Sequence, residues 1–438
     1  DYRLLRCKGL LVAADRPDGR RNGVKEQENE KMDFVQLTAE CESELGEIFA
    51  RIDRISYKNT EKVMRVFSNN RLSERHFNPS SGYGYNDDGR DLCDKLFANV
   101  FGYEHGFARH TLISGTHALN VALFGLLRPG DTLYSVTGKP YDTLDGVIGG
   151  SGEKDNGSLS DFGVLYRQCE LVKTGTLDYE AIRNALLFDK SIKVVFVQRS
   201  KGYASRRSLP CDEINRLYEI VKQNSSAYLV VDNCYGEFCE ESEPKADLIV
   251  GSLIKNPGGG IAETGGYIVG TERAVELAAY RLSVPGIGLE AGASLGQTKS
   301  MIKGLFYAPH TTAQALKTAA FAALLFKKLG YEVYPDAFEK RVDIIQTINL
   351  KDADTLLKFC HGIQAGSPVD SFVKPEGWAM PGYDSEVVMA AGAFTQGSSI
   401  ELSADAPIRE PFTVYIQGGL TYESGKYGIL TAAEFMTK

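Results

Sequence analysis

The sequence predicts an α/β protein, with a large domain on a mainly parallel sheet and a smaller α+β domain at the C-terminus. Short apolar runs alternate with helical stretches from about residue 90 to 281, which implies βαβ units with helices on both faces of the sheet. The 438-residue length allows two domains. A long helical stretch at 311–330 then hands over to shorter mixed elements.

Taken in order, residues 1–31 read as an appendage upstream of a natural start at Met32. They mix charges of both signs, and their one apolar run, GLLVAA, is short for a signal-peptide core. Residues 32–90 read as N-terminal helices and an arm. The helical pattern from Glu42 to Phe67 places Leu45, Ile48, Phe49, Ile52, Ile55 and Val63 among polar residues. The Gly/Tyr/Asn-rich string NPSSGYGYNDDGR then breaks regularity.

The large domain is expected over 91–310. Its helices are expected at 90–101, 116–127, 143–149, 179–188, 212–224 and 272–281, and its strands at TLISG, DTLYSV, KVVFVQ, AYLVVDN, DLIVGS and GGYIVG. The small domain, 311–438, opens with TTAQALKTAAFAALLFKKLG, a helix stopped by Gly330.

Composition narrows the function. A net charge of −8 argues against general nucleic-acid or anionic-membrane binding, and no apolar run approaches a membrane span. Eight scattered cysteines form no CxxC and read as reduced thiols of the cytoplasm; six histidines form no HExxH, so no metal is expected.

Three stretches carry chemistry. In TLISGTHALNVALFGLL, the residues Ser114, Gly115 and Thr116 lead into a helix whose first N–H groups and positive dipole end suit a phosphate. Alone, that is also an ordinary strand–turn–helix. It is neither GxGxxG nor a Walker loop, which disfavours a nicotinamide-dependent dehydrogenase. In AYLVVDNCYGEF, Asp232 closes an apolar strand, where a carboxylate needs either a positive partner or an Asx-turn role. In DLIVGSLIKNPGGG, Lys255 follows a strand end and Ser252 lies three positions before it. That lysine alone could be a solvated charge, a phosphate ligand or a Schiff-base amine.

Together the three match the needs of pyridoxal 5'-phosphate. Lys255 would anchor the cofactor covalently, Asp232 would keep its pyridine nitrogen protonated, and the Gly115 turn with Ser252 would hold its phosphate. Tyr141, in GKPYDTLDG, is placed to stack on the ring. The three glycines after Lys255 would let the backbone pass close to that ring. His117 reads as a capped or packed histidine.

From about Val63 to the C-terminus the chain resembles the fold type I (aspartate-aminotransferase-like) pyridoxal-phosphate enzymes. Within them it is similar to the methionine gamma-lyase-like or cystathionine beta-lyase-like "aluminium resistance" proteins. The resemblance rests on GYGYNDDGRD, ISGTHAL, VDNCYGEF, GSLIKNPGGGIAETGGYI, SPVDSF, MPGY, QGSSIELSADAPIREP and YIQGGLTYE. It implies a seven-stranded-type sheet, with Lys255, Asp232 and Tyr141 as the catalytic set. It also implies a phosphate site of Ser114, Gly115, Thr116 and Ser252.

An aromatic–arginine arm from a neighbouring subunit is implied too, here Tyr83, Tyr85 and Arg90, although the spacing is not Tyr-x-Arg. A homodimer or homotetramer with shared active sites follows. Arg409, in ADAPIREP, is expected to take the substrate carboxylate, and Gln198 and Ser200, in QRSKGY, to line the pocket; relatives carry Arg-Pro where this chain has Arg206-Arg207. The implied reaction is carbon–sulfur cleavage by β- or γ-elimination. The alternatives are an aldolase, γ-replacement or aminotransferase reaction, or a non-catalytic cofactor-binding protein.

Overall fold

The computed structural model describes residues 33–150, 152–379 and 385–437. The appendage at 1–31 and the string MPGY lie outside them. The larger sheet has seven strands: β1 (His105–Arg109), β2 (Thr132–Ser135), β3 (Leu165–Gln168), β4 (Ile192–Gln198), β5 (Tyr228–Asp232), β6 (Leu248–Ser252) and β7 (Gly266–Gly270). Their order is β1-β7-β6-β5-β4-β2-β3. Only β7 runs against its neighbours; the pairs β6–β5, β5–β4, β4–β2 and β2–β3 are parallel.

Alternation along the central strands builds two cores. Val194 and Phe196 of β4 and Val230 of β5 face one side, packed with Leu119 and Ala278 from the covering helices Gly115–Leu126 and Glu272–Leu282. Val195, Val197, Leu229 and Val231 face the other, with Phe97 and Leu305. Such strands read as continuous apolar runs because both faces are covered.

The smaller sheet is wholly antiparallel. Its strands are β8 (Glu332–Tyr334), β9 (Gln346–Asn349), β10 (Val387–Ala390), β11 (Ser403–Pro407) and β12 (Thr413–Gln417), in the order β10-β11-β12-β9-β8. It packs Ile348, Ala404, Val414 and Ile416 against Phe321 and Phe326 of the long helix and Phe359 of the helix Ala353–Ala365.

Two expectations are corrected. TLISG is not a strand: Leu112 N–H closes a turn onto Arg109 O, and Ile113 is exposed. The strand is the preceding HGFAR, disguised by Arg109, which is buried only because it pairs with Asp94. The helix expected from 311 is one helix, Thr298–Lys328, which passes through Pro309 and across the boundary expected at 310/311.

That helix explains the glycines after Lys255. A Cβ on Gly259 would lie 2.5 Å from Gly304 O, one on Gly304 would lie 2.3 Å from Gly258 O, and one on Gly260 would lie 2.3 Å from Leu420 Cδ2. The expected role was passage beside a cofactor ring. What the glycines permit here is direct packing of the Lys255 turn against the long helix and Leu420.

Candidate active site

Strand direction brings the chemistry to one edge. Gln198, Asp232 and Ser252 are the last residues of β4, β5 and β6, which run parallel, so their side chains meet at the carboxyl edge of the sheet. Since β7 is antiparallel to both β1 and β6, β1 also ends there and delivers the turn before the helix Gly115–Leu126. Gln198 lies directly opposite Asp232 in the ladder.

Ser114 is the N-cap of that helix, its hydroxyl accepting from His117 N–H at 3.0 Å. This fixes the first turn and leaves the N–H groups of Gly115 and Thr116 without intrahelical acceptors. Gly115 presses on the other two stretches. A Cβ there would lie 3.1 Å from Cys234 Sγ and 3.4 Å from Ser252 Cβ. Ser252 is fully buried, and its hydroxyl accepts from Ile254 N–H at 3.3 Å.

Thr116 Oγ1 lies 3.1 Å from Tyr141 Oη, and Tyr141 N–H donates to Gln198 Oε1 at 3.0 Å. Gln198 Nε2 donates in turn to Ser200 O at 3.2 Å. Ser114, Gly115, Thr116, Tyr141, Gln198, Asp232 and Ser252 therefore form one neighbourhood, with Ser200 joined through its carbonyl and Lys255 through its charge on Asp232 and Tyr141. His117 turns away from it, its Nδ1 accepting from Ile113 N–H at 3.2 Å.

Burial raises the Asp232 carboxyl above its ordinary range, opposed by Lys255 and by Cys234, whose N–H donates to Oδ1 at 3.1 Å. Burial would lower the Lys255 amine, but the charge of the Asp232 carboxylate opposes it and the amine is held high. Burial itself keeps Cys234, Tyr235 and Tyr141 protonated, which leaves Asp232 as the acid that holds Lys255 as ammonium.

Beneath the site, fully buried Arg199 donates to Asn233 Oδ1 at 2.7 Å and pairs with Glu240 at 2.9 Å and Glu243 at 3.3 Å. It thereby pins the end of β5.

Four expected residues lie apart from this set. Tyr83 and Tyr85 are exposed at 76% and 54%, and their rings stack at 5.7 Å. Arg90 is buried: it donates to Gly84 O at 2.7 Å and Gly292 O at 3.0 Å, and binds Asp91. Its guanidinium thus shapes the base of the tyrosine arm from within its own chain. Arg409 is also apart, exposed on the turn after β11 near Tyr415, whose hydroxyl donates to Tyr203 O at 2.8 Å.

Sequence reasoning missed several neighbours. The Tyr235 ring lies 4.1 Å from Lys255 Nζ, on a backbone with φ of +72°, and Tyr235 Oη is 3.5 Å from Ser399 Oγ. Asp405 of β11 is buried, accepts from Gln417 at 2.6 Å and feels the Lys255 charge. Arg206 donates to Gln198 O at 2.7 Å and Ser200 O at 2.6 Å, and its charge acts on Asp232. For Arg206 a signal existed, in the Arg-Arg departure after QRSKGY. For Asp405 none did, since it comes from another domain.

The methionine gamma-lyase family matches residues 34–437. The chain belongs to that family. It is 48% identical to the Bacillus subtilis (strain 168) protein YnbB over 407 residues, 92% of this chain and 96% of that protein. It is 44% identical to a Listeria monocytogenes protein of known crystal structure, proposed as a cystathionine beta-lyase involved in aluminum resistance. That match has a TM-score of 0.89 and covers 92% of this chain and all of the other. The pyridoxal-5'-phosphate-dependent Escherichia coli protein YhfS shares the fold at 13% identity, with a TM-score of 0.57 over 89% of this chain and 97% of its own. The family member thus has the fold type I architecture of pyridoxal-phosphate enzymes.

Proposed function

We propose that the protein is a pyridoxal-phosphate-dependent carbon–sulfur lyase that acts on a sulfur amino acid and releases a thiol, a 2-oxo acid and ammonia. The observation that carries the reading is that buried Asp232, under the charge of Lys255, ends its strand at the sheet edge where the Gly115 turn packs on Cys234 and Ser252, in a chain of the methionine gamma-lyase family.

The residues present fit the cofactor. The first-turn N–H groups of Gly115 and Thr116, with Ser252, form a cradle for a dianionic phosphate. Asp232 is a buried carboxyl with a cation beside it, suited to a protonated ring nitrogen. Lys255 offers the amine that holds the cofactor covalently. When bound, pyridoxal phosphate supplies an electron sink for negative charge developing at the substrate Cα.

The chain does the rest. With the cofactor bound, Lys255 Nζ in its neutral form would take the Cα proton, and Asp232 would stabilise positive charge on the ring nitrogen. Tyr141, fixed between Thr116 and Gln198, would stack on the cofactor ring. Arg409 is the fork proposed for the substrate carboxylate. A second copy of the chain is the natural cover for the Tyr83–Tyr85 arm, so the active form is a homodimer or a homotetramer.

The test is direct. The purified protein should absorb near ~420 nm, and the band should disappear on borohydride reduction and in Lys255→Ala. Incubation with cystathionine, methionine and homocysteine should then release a 2-oxo acid and thiol. A protein that binds no pyridoxal phosphate refutes the reading. Amino-group transfer without thiol release would assign an aminotransferase instead.

A further inference from the structure

Loop 198–208 has two faces. One lines the candidate active site; the other meets the segment Tyr334–Asp343 of the small domain. Between them lies a cavity of about 310 Å³, at the lower end of the range for small-molecule sites. None of its lining residues belongs to the Lys255 neighbourhood.

The cavity holds cations without enough partners. Lys201 is 2% exposed, and its Nζ donates to Tyr334 O at 3.2 Å while lying 4.5 Å from the Tyr334 ring. Arg341, 7% exposed, donates through Nη2 to Gln346 Oε1 at 2.6 Å, but its Nε and Nη1 are buried with no hydrogen-bond partner. Asp343 is the nearest buried carboxylate, its oxygens taken by the Ser208 hydroxyl and Ile345 N–H, while Asp212 and Glu339 add exposed carboxylates to the lining. Arg207 and Lys340, also in the lining, are paired to Glu213 and Glu240.

Burial, with Arg341 and Arg206 adding repulsion, holds the Lys201 amine down to about 8 despite Asp343; Arg341 is likewise lowered, chiefly by burial. Lys201 and Arg341 share one buried carboxylate that is already occupied, with Glu339 acting on both from the exposed rim, and Arg341 Nε and Nη1 are left buried without an acceptor. An anion entering the cavity would relieve both costs.

We infer that this interdomain cavity is a binding site for a small tetrahedral oxyanion, as free phosphate or as the phosphate of a small ester, held by Lys201 and Arg341. Bound there, it bridges loop 198–208 of the large domain to the strand-connecting segment 334–343 of the small one. Arg206 stands between the two sites: it feels both Asp343 and Asp232 while holding the carbonyls of Gln198 and Ser200. The ligand therefore sets how tightly the loop carrying Gln198 is held. The inference does not depend on the proposed reaction.

The experiment is calorimetric titration of the purified protein, as isolated with any cofactor it carries, with inorganic phosphate and separately with glycerol 3-phosphate in an anion-poor buffer. Saturable binding of either is expected, the tighter one identifying free anion or ester. Lys201→Met should weaken it at least tenfold with the circular dichroism spectrum unchanged. Arg341→Lys, which keeps the charge but loses the fork, should weaken it less. Ser252→Ala, at the cofactor turn, should leave it unaltered. No binding by the native protein, equal binding by Lys201→Met, or loss of binding in Ser252→Ala would each overturn the inference.

Discussion

Gly304→Ala tests whether the long helix holds the Lys255 turn in place. The new methyl would meet Gly258 O at 2.3 Å, Gly258 C at 2.9 Å and Gly258 Cα at 3.1 Å, all backbone atoms with no rotamer to yield. Reaching ordinary contact requires the helix and the turn to part by about 1 Å. Overpacking of this kind costs about 1–3 kcal/mol, and rigid backbone on both sides favours the upper end. Alanine in a helix interior returns up to about 1 kcal/mol. The net cost is about 2 kcal/mol, roughly 30-fold in the unfolding equilibrium.

For a chain of this length, that lowers the thermal midpoint by about 2–3 °C in scanning fluorimetry. The shift should come with a changed visible spectrum, because Lys255 lies three residues before Gly258. Gly46→Ala is the control: it makes the same chemical change at a helix start with nothing within 4 Å, and should be neutral or slightly stabilising. If Gly304→Ala matches Gly46→Ala in midpoint and spectrum, the packing argument is wrong.

Other outcomes follow from the same geometry. Asp232→Asn should retain cofactor through Lys255 yet lose about 10²–10⁴-fold in kcat, the range for a misplaced proton; near-native turnover would remove Asp232 from its role. Arg199→Met should destabilise the fold by about 3–5 kcal/mol by stranding Glu243, whereas Glu240 keeps Lys340, and adding Glu243→Gln should recover part of the loss. A midpoint unmoved by Arg199→Met would contradict this.

Burial lifts the Glu237 carboxyl to about 8, with the Tyr267 hydroxyl donating to it at 2.9 Å. A carboxyl raised in the folded state contributes stability that is present below its unfolded value near 4.5 and is lost as pH rises toward 8. The thermal midpoint should therefore fall between pH 5 and 8, and Glu237→Gln should flatten that slope. Parallel profiles for the two proteins would refute it.

What the sequence made legible follows from how local each signal is. β4, β5 and β6 are buried on both faces, so apolar content alone reveals them, and their last residues, Gln198, Asp232 and Ser252, become visible as edge residues. β1 was missed because its signal is not local: Arg109 suits a buried strand only through Asp94, fifteen residues earlier. The first half of the long helix was hidden by Gly304 and Pro309; the glycine answers to packing on the Lys255 turn rather than to helix propensity.

The same distinction divides the site. Asp232 ends a strand, Lys255 follows one closely and the Gly115 turn opens a helix, and each position can be read from a few neighbouring residues. Asp405, Arg206 and Tyr235 owe their places to the approach of the second domain, a long loop and a left-handed backbone. Residues that fix the chemistry lie on the first domain's edge, whereas Asp405 comes from the second. Which sulfur amino acid is cleaved is then a question for residues such as Asp405, and Asp405→Asn should change the ranking of cystathionine against methionine more than it changes cofactor binding. A uniform loss with both substrates, or loss of the visible band, would instead place Asp405 among the groups that support Lys255.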